Sequence, residues 1–217
     1  MSSSSSGPTP GSAIPARLLR GAILAALTAF VIVTAYKALR APLVIDEFPE
    51  ELLIKAELLP LIFPVHMVTG GLALLLVPAA LLLSGHPRWH RPVARLAALD
   101  VLLAGLTAFP VALIEPVTLG SALGFTAQGA VWLVLLALGI WHIRHGRREA
   151  HRACMLLMTA ATSGAIFFRV YLALFAIYGS YRFYPQFYAV DAWLAWGLPT
   201  LLTALFLQRT GGFPRKA

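Results

Sequence analysis

Six predominantly apolar stretches follow one another along this chain, at Leu19–Leu39, Leu61–Ser84, Val93–Leu113, Ala122–Ile143, Ala153–Tyr178 and Ala189–Leu207. An α-helix rises 1.5 Å per residue, so roughly 20 such residues cross the ~30 Å of bilayer hydrocarbon. No water reaches that core, so a spanning segment must satisfy its own backbone, which selects helices for runs of this length. The sequence therefore predicts an all-α polytopic membrane bundle of six transmembrane helices. Pro78, Pro110 and Pro199 fall inside three of the spans and are expected as kinks, because neighbouring helices can re-satisfy the freed carbonyls. Composition agrees: 59% of residues are hydrophobic and 12% charged, where a soluble domain is about a quarter charged. An ordinary soluble enzyme, a disordered chain and a nucleic-acid binder are excluded, despite a net charge of +8. The single cysteine, Cys154, excludes a disulfide framework or a cysteine-rich metal site.

The basic residues set an expected orientation. With the N-terminus cytoplasmic, Arg17, Arg20, Arg88, Arg91, Arg95, Arg144, Arg147, Arg148, Arg152, Arg209, Arg215 and Lys216 all fall inside. Lys37, Arg40, Lys55 and Arg182 fall outside, and Arg169 is left within a span. Cytoplasmic loops carry the excess of Lys and Arg, so twelve against four predicts both termini inside the cytoplasmic (inner) membrane. Residues 1–18 read as a disordered Ser/Gly/Pro-rich cytoplasmic tail. Residues 19–39 read as an uncleaved signal anchor, 40–60 as an external loop with a short amphipathic helix, 61–209 as a five-helix core, and 210–217 as a basic cytoplasmic tail.

The second and third spans and the fourth and fifth form two hairpins with similar turns, HPRWHR at 86–91 and HIRHGRREAHR at 142–152. Each ends in a His-Arg pair at the mouth of the next span, His90-Arg91 and His151-Arg152. A parallel duplication of a two-helix unit accounts for this, as do basic turns on the cytoplasmic side.

An ionisable group at membrane depth costs at least ~2.5–3.5 kcal/mol on insertion scales, so it tends to face the bundle and find a partner. Arg169 lies about 15 residues into the fifth span, ~22 Å from its cytoplasmic start. Thr159, Thr162 and Ser163 precede it on nearly the same face of a continuous helix. His66, Glu115 and Asp191 are the candidates to pair with it by depth, with Gln128 and Tyr171 nearby. Together they predict an outward-facing polar site walled by Trp193, Trp196, Tyr184 and Tyr188. A structural Arg–carboxylate tie among spans three, five and six is the plainer alternative. Asp100 is a second buried acid, ~9 Å in from the cytoplasmic side, with Thr159 or a turn histidine as its expected partner.

His90, Arg91, His142, His151 and Arg152 form a cluster at the inner rim. Neutral imidazole is a good haem or metal ligand, and one haem b held by two of these histidines is geometrically allowed. Contacts to lipid phosphate or helix capping serve equally for imidazoles in basic turns. The spacing favours no metal site and no cofactor.

No phosphate-binding glycine loop, dinucleotide fingerprint, nucleophile elbow or HExxH occurs, and no catalytic residue is assigned. The region from about Phe63 to Arg209 resembles the DUF2306 family of uncharacterised prokaryotic multi-pass membrane proteins. The features that carry the resemblance are HMVTGGLALLLVPAALL, HPRWHRPVARL, LGFTAQGAVWLVLLAL, REAHRACMLLMTAATSGAIFFRVYL and DAWLAWGLP. Ala94 and the run Leu96-Ala97-Ala98 depart from the expected pattern, which has a glycine and an aromatic residue there. The resemblance implies a multi-pass bundle and no established activity.

The functional expectation is an integral membrane protein that transports or senses a small molecule or ion. The alternatives are a b-type haem redox protein and an accessory subunit of a membrane complex. The lipid bilayer is the expected surrounding, with a membrane-protein partner or a second copy as further contacts and no nucleic acid.

Overall fold

A computed structural model describes residues 13–44, 50–115 and 117–212 of the chain. Eight α-helices follow in order: α1 (Ala13–Arg40), α2 (Glu50–Leu58), α3 (Ile62–Leu82), α4 (Pro87–Leu113), α5 (Leu119–Arg144), α6 (Arg148–Thr162), α7 (Gly164–Tyr178) and α8 (Tyr184–Arg209). No strand occurs among the described residues. Among the described residues six helical segments are long and apolar enough to cross a membrane: Leu18–Leu43, Ile62–Gly85, Pro87–Leu113, Leu119–Arg144, Arg148–Tyr178 and Tyr181–Arg209. The all-α six-span architecture is thus present. Residues 1–12 and 213–217, where the sequence places most of the two tails, lie outside the described residues, as do 45–49 of the long connection.

The connections are short, so successive spans run antiparallel. Two ends of the bundle result: a basic end with the α3–α4 and α5–α6 turns, and an opposite end with α2, Glu115 and the start of α8. Helix starts follow local chemistry. Pro87 opens α4, where its missing N–H costs nothing. The Thr118 hydroxyl accepts from the Ser121 backbone N–H at 3.0 Å and caps α5. Gly146 reverses the chain between α5 and α6 with φ of +72°, a conformation that glycine adopts without Cβ strain.

The fifth span is not the continuous helix expected from its hydropathy. It breaks at Ser163, which ends α6 and precedes α7. Small polar residues explain the break. The Ser163 hydroxyl turns back to the Ala160 carbonyl at 2.6 Å, and the Thr159 hydroxyl to the Met155 carbonyl at 2.8 Å. Hydroxyls that bond back into their own helix compete with its ladder and bend it.

Packing is by small residues. Ala73 and Val77 of α3, Val101 and Ala104 of α4, Trp132 and Leu136 of α5, and Met158 and Ala161 of α6 form the principal buried cluster. Lipid tails are as apolar as leucine, so close approach and dispersion hold such helices together. Most large aliphatic side chains accordingly face outward, including Leu24, Leu102, Leu138 and Leu201. A close approach is at Gly164, where a Cβ would stand 2.6 Å from Cβ of Trp196 on α8. Glycine there lets α7 lie against α8.

Candidate functional site

A cavity of about 260 Å³ lies among α1, α2, α3, α4, α5, α7 and α8 and the end of α6. It forms where the fifth span breaks. Freed polar groups at the break are held by α5: Gln128 Nε2 donates to the Ala161 carbonyl at 3.1 Å, and Trp132 Nε1 donates to the Thr162 hydroxyl at 2.9 Å. Gln128, Trp132, Thr162 and Gly164 all line the space. The sequence signal for this wall is the series Phe125, Gln128, Gly129 and Trp132, whose spacings of three, four and seven place them on one face of α5.

The wall is mostly apolar and aromatic. Phe125, Phe168 and Tyr188 pack edge to face in a triangle, with ring centroids 5.4 Å (Phe125–Phe168), 6.0 Å (Phe125–Tyr188) and 5.2 Å (Phe168–Tyr188) apart. Trp196 adds an indole whose Nε1 donates to the Ala192 carbonyl of its own helix at 2.9 Å. Of the four aromatic residues expected as walls, Tyr188 and Trp196 line the cavity and Trp193 and Tyr184 do not. Trp193 instead ties α8 to α5 through the Gly120 carbonyl at 3.0 Å.

Three of the expected polar residues meet here: His66, Gln128 and Arg169. The arginine lies in the α7 half of the broken span. Its Nη1 donates to the Ala165 carbonyl of its own helix at 2.7 Å, and no carboxylate lies within 4.0 Å of it among the described residues. The expected pairing of Arg169 with Glu115 or Asp191 is therefore corrected. Glu115 belongs to another cation. Its Oε2 is 2.7 Å from Nζ of Lys55, and its Oε1 accepts from the Val117 backbone N–H at 3.2 Å. Lys55, on α2 of the external connection, is buried and lines the cavity. The charge alternation of α2 hid this, because a lysine facing inward looks the same in sequence as one facing water.

Asp191 is only 2% exposed, and neither carboxylate oxygen has a hydrogen-bond partner among the described residues. It does not line the cavity, and neither does Tyr171, whose ring packs beside Phe167 with centroids 6.0 Å apart. His66 reaches across to α4 instead of to Arg169: Nδ1 is 3.2 Å from the Ala104 carbonyl and 3.3 Å from the Thr107 hydroxyl. Asp100 is buried on α4 with Oδ2 unpartnered; the expected bond from Thr159 is absent because that hydroxyl bonds to the Met155 carbonyl.

The rim residues form no part of the cavity wall. His90 Nδ1 is 2.8 Å from the Ala80 carbonyl of α3, and His151 Nδ1 is 2.9 Å from the Gly139 carbonyl of α5. Each histidine at the mouth of a span thus clasps the last turns of the span before it, in both hairpins alike. Arg91 and Arg152 beside them are exposed, while His142 Nδ1 is buried without a partner among the described residues. No group of three or more His, Cys, Asp or Glu with metal-binding proximity occurs among the described residues.

A family model described as "Predicted membrane protein (DUF2306)" matches residues 63–207. The chain belongs to the DUF2306 family. The matched region runs from α3 to α8 and holds His66, Gln128 and Arg169. It leaves out α1 and α2, which give the DUF2306 cavity Ala38 and Lys55. No curated protein and no solved structure matches the chain.

Proposed function

We propose that the protein binds a small, largely apolar organic anion in this cavity, as the recognition step of transport or sensing across the membrane. One observation carries the reading: the Arg169 guanidinium stands at a mostly apolar cavity, and no carboxylate among the described residues neutralises it. The Lys55–Glu115 pair is neutral in sum, so the local excess is one positive charge. A monoanion entering from the bilayer or its interface would supply the missing charge, and guanidinium donors match a carboxylate in a planar, two-pronged contact. Aromatic walls with a few polar groups are the usual make-up of a small-molecule site. The basic excess at one end of the bundle supports a cytoplasmic-membrane location with both termini inside.

The test is titration of the purified protein in lipid nanodiscs with benzoate and, separately, benzamide. Benzoate is expected to bind and to raise the unfolding temperature, while the uncharged amide does neither. Arg169→Gln is expected to abolish the benzoate effect while the unliganded variant remains folded. Equal binding of benzoate to the wild type and this variant would remove Arg169 from the site.

A further inference from the structure

Two groups on the cavity wall, His66 and Gln128, keep acceptor capacity. The Thr107 hydroxyl donates into its own helix, to the Leu103 carbonyl at 2.8 Å or the Ala104 carbonyl at 3.1 Å, so towards His66 it can only accept. The Ala104 carbonyl can only accept as well. The proton of the His66 ring therefore sits on Nδ1, facing α4. A neutral imidazole carries one proton, so with Nδ1 protonated the ring keeps a lone pair on Nε2. Gln128 is fixed in the same way. Its Nε2 must face the Ala161 carbonyl as donor, which leaves Oε1 as the acceptor.

Arg169 offers donors, while His66 and Gln128 offer acceptors, from three different helices. A simple anion answers only the first. We propose that the ligand of this cavity is an aromatic ring carrying a hydroxyl as well as an acceptor oxygen, the hydroxyl donating to His66 Nε2 or Gln128 Oε1. This deepens the anion reading and rests on the same cavity. The Phe125, Phe168 and Tyr188 rings suit an aromatic guest, because ring pairs gain from edge-to-face and offset contacts. Size agrees: about 260 Å³ holds roughly nine waters at ~30 Å³ each, which is the scale of a single substituted ring. Hydroxybenzoates and hydroquinones share this chemistry, one ionised and one neutral.

The deciding comparison uses the wild-type protein in nanodiscs at pH 7.5. 4-Hydroxybenzoate and 4-methylbenzoate have nearly the same shape and charge and differ in one donor. The hydroxyl compound is expected to bind at least about tenfold tighter, the ratio that one well-made hydrogen bond gives. This preference is expected to shrink to about twofold in His66→Phe or in Gln128→Leu, according to which group takes the hydroxyl, and its persistence in both would overturn the inference; should the variants fail to fold, the wild-type ratio alone decides. Equal affinity of the two benzoates overturns the hydroxyl inference and leaves the anion reading standing. Binding of 2,5-dimethylhydroquinone with no binding of either benzoate upholds the hydroxyl inference and overturns the anion reading. If none of the three binds, both fall.

Discussion

Lys55 on α2 and Glu115 just beyond α4 form an ion pair at 2.7 Å whose two side chains are 7% and 1% exposed. It ties the short helix outside the family-matched region to the five-span core. Removing one member of a buried pair strands the other charge, which costs about 3–5 kcal/mol. Lys55→Ala and Glu115→Ala are each expected to lower unfolding stability in detergent micelles by about 3 kcal/mol. The double variant Lys55→Ala/Glu115→Ala should lose less than the sum of the two, read as a coupling energy; strictly additive losses would show that the two charges do not act as a pair.

His90→Ala and His151→Ala each remove one bond to a backbone carbonyl in the preceding span, at Ala80 and Gly139 respectively. Each is expected to cost about 1 kcal/mol. The two clasps belong to separate hairpins, so their losses should add within about 0.5 kcal/mol. A loss of several kcal/mol in one and none in the other would break the likeness of the hairpins.

At Gly124 an added Cβ would stand 2.9 Å from the Ala192 carbonyl oxygen, and at Gly164 it would stand 3.0 Å from the Trp196 Cα. Backbone cannot swing aside as a flexible side chain can. Gly124→Ala and Gly164→Ala are expected to destabilise by about 1–3 kcal/mol through overpacking. Gly197→Ala, on α8 with nothing within 4 Å of its Cβ position, should be neutral or slightly stabilising, because alanine is the better helix former. Thermal unfolding of the three variants side by side checks the contrast.

Trp132→Phe keeps an aromatic ring in the core but loses the bond to the Thr162 hydroxyl at the break in the fifth span. A loss of about 1 kcal/mol is expected. Combined with Thr162→Val it should show coupling above about 0.5 kcal/mol in a double-mutant cycle. Independent effects would mean that the indole does not hold the break.

The six spans were legible because apolar length is a one-dimensional property, fixed by bilayer thickness and helix rise. The polar residues were legible in part: His66, Gln128 and Arg169, from α3, α5 and α7, line one cavity, while Glu115, Tyr171 and Asp191 lie off its wall. Pairing was less so. Depth matching puts Glu115 near Arg169, but depth says nothing of direction around the bundle, and Lys55 reaches Glu115 from a helix whose burial hydropathy does not reveal. The break at Ser163 escaped notice because glycine, serine and threonine are tolerated in continuous membrane helices too; what opens the turn is their combination with the Gln128 and Trp132 donors, 33 and 30 residues away from their acceptors in sequence.

Gly71 faces α1 so closely that a Cβ there would stand 2.9 Å from Cβ of Ala38 and 3.1 Å from the Ala35 carbonyl oxygen. The first crossing is cladding whose fit against α3 depends on an absent methyl group. Any side chain at 71 would force α1 and α3 apart at this point. Gly71 and Ala38 are both panels of the cavity wall, so such a change would reshape the cavity from the seam between α1 and α3.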